Sequence, residues 1–93
     1  MMNKTSARLV AYLASLRWDH AQAVRCGTRS SADYFAQEVA SVTRACKALG
    51  VPDWLLGRVA RAVRDVVTCA FVVLPDAEFI LGWWREGADA SAA

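Results

Sequence analysis

The chain has 93 residues, 56% of them apolar, with 11 basic and 9 acidic side chains and a formal net charge of +2. That length suits a single domain, which buries only about 60–65% of its unfolded surface, so a large core is excluded. A charge so close to balance does not call for a polyanionic ligand, and the apolar share exceeds the roughly 45–50% of ordinary domains.

The surplus apolar area must widen the buried helix faces or form a patch for a partner or a second copy. The spacing predicts a first helix from about Thr5 to Cys26, stopped by Gly27 in a left-handed conformation. Leu9, Leu13, Leu16, His20, Ala23 and Val24 recur at helical spacing and define its expected inner face. His20, the only histidine, falls mid-face and reads as a buried neutral side chain with one hydrogen-bond partner. Trp18 lies roughly 160° from the centre of that face, where it either meets solvent and a partner or packs under a loop or the C-terminal helix.

Ser30 or Ser31 is expected to cap a second helix, with Asp33 in its first turn. Phe35, Val39, Val42, Cys46 and Leu49 form a narrow seam along it, and Gly50 ends it. Val51-Pro52-Asp53 opens a third helix, expected to reach about Val73. Its polar residues Arg58, Arg61, Arg64, Asp65 and Thr68 share roughly a third of the circumference, with Asp65 within reach of Arg58 and Arg61. The rest is apolar or alanine apart from Gly57, so this helix is the expected centre of the fold. Trp54 reads as the packing anchor of its first turn. The β-branched stretch Val66–Leu74 would also suit a buried strand, but it lacks a turn signal before it and a strand to pair with.

Leu74-Pro75-Asp76 repeats the apolar-proline-aspartate start, and in both places the aspartate is expected to cap. A short fourth helix follows over Ala77–Glu86, with Phe79, Ile80, Trp83 and Trp84 on one side. Residues 1–4 and 87–93 are expected to fray. Short connections make the default an all-α, antiparallel up-down bundle of three longer helices and one short C-terminal helix, a single domain over 1–93.

The segment Ala45 to Val59 (ACKALGVPDWLLGRV) resembles the helix-turn-helix signature of DNA-binding regulators. The resemblance implies a small residue at the helix crossing in Cys46, a turn at Gly50, and buried Val51, Leu56 and Val59. It would send Asp53, Trp54, Gly57, Arg58 and Arg61 of the 45–61 region into the major groove. Asp53 and Trp54 depart from the small polar residues usual there, and balanced charge weakens phosphate binding.

Cys26, Cys46 and Cys69 lie 20 and 23 residues apart with no Cys-x-x-Cys pair, which argues for reduced thiols and a cytoplasmic location. Cys26 and His20 diverge by about 120° around the first helix, so no metal site is expected, and no cofactor. Neither a phosphate loop nor paired carboxylates on one face nor a Ser/His/Asp set stands out, so no enzyme activity is expected. The start lacks the long apolar segment of a secretory signal, and the longest apolar run, nine residues from Val66 to Leu74, is about half a membrane span. The leading expectation is a non-catalytic interaction module, a regulator, inhibitor or adaptor docking on a larger protein, with a homodimer as one form. Its candidate contact residues are Trp18, Trp83, Trp84, Arg58, Arg61 and Arg64. Small inhibitors of phages and mobile elements share this profile, an argument by analogy. The rivals are the DNA-binding regulator and a structural or assembly subunit.

Overall fold

The computed structural model describes residues 2–68 and 73–92, the last four of them by backbone alone. Four helices account for nearly all of these: α1 (Lys4–Arg25), α2 (Arg29–Ala48), α3 (Asp53–Thr68) and α4 (Ala77–Ala92). Among the described residues there is no strand, and no helix is long and apolar enough to cross a membrane. The fold is the expected small helical bundle.

Both turns that separate the first three helices are built from glycine. Gly27 and Gly50 have φ of 71° and 85°, the left-handed region where a side chain would be strained. In each turn two N–H groups fold back on the preceding helix: Gly27 to Val24 and Thr28 to Ala23, then Gly50 to Lys47 and Val51 to Cys46. This is the Schellman closure, and at the second turn buried Val51 and Cys46 provide its usual hydrophobic contact. Because the first closure consumes Thr28, α2 starts at Arg29 with Thr28 in the capping position, ahead of the expected Ser30 or Ser31, and without a side-chain cap bond.

The helix expected at the centre is not the one found there. α1 packs against α2, α3 and α4, whereas α3 meets α1 and α4 and has little contact with α2. The reason lies in small residues. Ala7, Val10 and Ala14 are fully buried beside Leu13, and their short side chains let neighbouring helices approach closely on that side. The inner face only partly matches the expected one: Leu13, Leu16 and Ala23 are buried, but Val24 is 57% exposed and Leu9 and His20 are only partly buried. α3 buries Leu55, Leu56, Val59 and Val63 and exposes Arg61, Arg64, Asp65 and Thr68 as expected. The core joins Leu13, Leu55 and Ile80, one fully buried large residue from each of α1, α3 and α4. From α2 only Cys46 is buried.

Met2 enters the core, and Asn3 caps α1 by accepting the Ser6 N–H at 2.9 Å. α4 passes through Gly87 and reaches Ala92, beyond the expected end at Glu86. At the other end of the expected α3, Val73 and Leu74 have no regular structure, since Pro75 disfavours helix at the residue before it. The two proline–aspartate starts also diverge. Asp76 caps α4 by accepting the Phe79 N–H at 2.9 Å, but Asp53 is already the first residue of α3 and pairs with Lys47 at 3.6 Å.

Candidate functional site

The site is built where α4 crosses the start of α3. Trp54 and Arg58 lie one turn apart on α3 and meet the far end of α4, so the two helices run antiparallel. The Trp54 indole lies flat against the helix at Gly87: a Cβ there would run into Cη2, Cζ2 and Cζ3 of the ring, the last at 2.7 Å. Gly87 is thus a seat for Trp54 and not a helix stop. One turn along, the Arg58 guanidinium lies 4.6 Å from the Trp83 ring centre, and its Nη1 donates to Oε2 of Glu86 at 3.4 Å. The expected partner of Arg58, Asp65, is replaced by a residue of another helix.

These contacts set the roll of α4. Ile80 and Leu81 are buried, Trp84 packs partly buried against the core, and Phe79 is turned outward with 63% of its surface exposed. Gly82 lies between the two sides, and a Cβ built there meets no atom within 4 Å. Its missing side chain leaves a depression of about 370 Å³ lined by Asp76, Glu78, Phe79, Gly82, Trp83 and Glu86. Its lining combines two aromatic rings with three carboxylates. Asp76 and Glu78 form no ion pair among the described residues.

The other candidate residues are dispersed. Trp18 is partly buried and packs against the core, the inward one of its two expected placements. It walls a separate depression with Gln22, Arg25 and Val66–Thr68, because α1 is covered on more sides than one apolar face implies. Arg61 is exposed above Gly57, where a Cβ would sit 3.6 Å from its Nη1. Arg64 borders a groove between α1 and α3 that Arg17 also lines. Of the groove-facing residues implied by the helix-turn-helix resemblance, Trp54 and Arg58 contact α4, with 41% of Trp54 still exposed, Asp53 is tied to Lys47, and Arg61 is exposed. Val51, Leu56 and Val59 are buried as that resemblance implies, yet α2 and α3 do not form the closely packed pair it needs.

Cys26 is an exposed free thiol, and Cys46 is a buried one whose pKa burial pushes up; Cys69 lies outside the described residues. Comparison with protein-family models, curated proteins and solved structures gives no match. Phe79, Gly82 and the carboxylates Asp76, Glu78 and Glu86 were not among the contact residues expected from sequence. The signal was present in Leu81. Adding it to Phe79, Ile80, Trp83 and Trp84 spreads apolar side chains over about 200° of α4, too wide for one buried stripe.

Proposed function

We propose that the chain is a non-catalytic interaction module that docks on another protein through the outer face of α4. The observation that carries this reading is the depression over Gly82, framed by exposed Phe79 and half-buried Trp83. Aromatic side chains around a small pocket are the usual composition of a binding hot spot. Trp83 is already held by Arg58, so less side-chain freedom is lost when a partner arrives. The free thiols of Cys26 and Cys46 suit a reducing cytoplasm. α4 lies over Trp54 and Arg58, which weighs against the DNA-binding reading, while Asp53 and Arg61 remain exposed.

Gly82→Gln tests the proposal without harming the fold, because the new side chain enters open space and improves helix propensity. Tagged wild-type and variant proteins are used to capture partners from lysate of the source cells, with identification by mass spectrometry. The expected outcome is a partner retained by the wild type and lost by the variant at an undiminished melting temperature. Equal capture by both refutes docking at this face. Salt-dependent retention on duplex DNA, lost on Arg61→Ala with Arg64→Ala, moves the assignment to nucleic acid.

A further inference from the structure

We infer that the depression over Gly82 receives an arginine side chain from a basic segment of the partner protein. This deepens the docking reading and rests on it. The lining combines the aromatic rings of Phe79 and Trp83 with the carboxylates of Asp76, Glu78 and Glu86. Lysine and arginine are the side chains that gain from both features, because a cation is attracted to a ring face and to carboxylates alike. Arginine is selected over lysine by shape. Its planar guanidinium can lie on a ring while its edge donates sideways to carboxylate oxygens, which a spherical, strongly hydrated ammonium does less well.

The chain contains its own example of this recognition. Arg58 lies over Trp83 at 4.6 Å and donates to Glu86 at 3.4 Å. On the other side of Gly82, Phe79 with Asp76 and Glu78 offers the same pairing of ring and carboxylate without an internal cation among the described residues. Arg85, the only basic residue of α4, does not line the depression. The positive end of the helix dipole lies at Asp76–Glu78 and offsets part of their pull. The guanidinium is therefore seated one turn further in, between Phe79 and Trp83, where Gly82 leaves room. A depression of about 370 Å³ accommodates one long side chain and not a folded surface, so the occupant projects from a segment.

The test is a titration of isotope-labelled protein with a nine-residue peptide of alternating glycine and arginine, followed by amide and indole N–H shifts. The control peptide carries citrulline, the neutral isostere, at each arginine. Saturable shifts centred on Gly82 and the Trp83 indole are expected, with roughly tenfold weaker binding for the citrulline peptide. Asp76→Asn with Glu78→Gln should weaken the arginine peptide by a similar factor, since asparagine keeps the helix cap and removes the charge. Gly82→Gln should abolish the site. Equal binding of both peptides, shifts spread over unrelated carboxylates such as Asp33 and Asp65, or no saturable shift up to millimolar peptide each overturns the arginine assignment. So does light scattering that shows a dimer broken by Gly82→Gln, which would make a second copy the occupant. If the lysate partner is lost on Gly82→Gln while the arginine peptide fails, docking at α4 stands and only the basic occupant falls. If lysate capture is insensitive to Gly82→Gln, the docking reading itself falls.

Discussion

Replacing Gly87 by alanine should destabilise the protein, although alanine is the better helix former. A Cβ at this position lies 2.7 Å from Cζ3 of Trp54 and closer still to Cη2 and Cζ2. Carbon atoms pack at about 3.5–4.0 Å, so the indole must retreat by about 1 Å or swing off α4. Overpacking of this kind costs about 1–3 kcal/mol, against a propensity gain of roughly 0.5–1 kcal/mol for alanine over glycine. The balance is a loss of up to about 2.5 kcal/mol. At about 4–8 °C per kcal/mol for a domain of this size, that is several degrees of Tm. Thermal unfolding by circular dichroism of the wild type, Gly87→Ala, Trp54→Ala and the double variant decides the matter. With Trp54 reduced to alanine the obstruction is gone, and Gly87→Ala should then raise Tm. The reasoning is refuted if Gly87→Ala is stabilising with Trp54 in place, or if removing Trp54 does not reverse the sign. Gly82→Ala, five residues earlier on the same helix and facing open space, should raise Tm in both backgrounds.

Arg58→Ala should lower stability by about 1 kcal/mol in urea unfolding, chiefly through the lost contact with Trp83. Glu86→Gln should cost less than about 0.5 kcal/mol, because the pair's side chains are 40% and 70% exposed and water screens them. Asp76→Ala should remove about 1 kcal/mol with the α4 cap, whereas Asp76→Asn should be nearly neutral, as read by the same unfolding curves. Burial holds the Cys46 thiol above its ordinary pKa, so folding disfavours the thiolate. Its contribution is intact below the ordinary thiol pKa and declines as pH rises from there through the raised value; Cys46→Ala should flatten that alkaline loss in a Tm-against-pH series. Cys26 should be alkylated well before Cys46, which peptide mapping after timed exposure to iodoacetamide would show.

The helices were legible because their ends are written in local chemistry: Gly27 and Gly50 force left-handed turns, and Pro75-Asp76 starts α4. The hub was not legible. Ala7 and Ala14 add little to a hydrophobic face, yet their lack of bulk is what lets other helices close on α1. The continuation of α4 past Glu86 was not legible for a similar reason. A glycine after an apolar run signals a stop only when nothing needs its space, and here the Trp54 ring does. The candidate contact residues shifted with it. Trp18 was drawn inward by the covered α1, Arg58 was drawn onto Trp83, and Phe79 was left outside by the roll of α4. Each of these placements depends on contacts between residues far apart in the chain, which spacing along one helix does not encode.

The position of α1 bears on the order in which this chain can fold. The helix that touches every other one precedes them all, and the last apolar contributions to the shared core, Ile80 and Leu81, come from the fourth. A growing chain therefore carries the Ala7–Val10–Ala14 side of α1 incompletely covered until α4 has been made. During that interval its apolar side is open to wrong partners, and chaperone binding or aggregation competes with docking of the final helix. The bundle closes only when α4 packs back on α1.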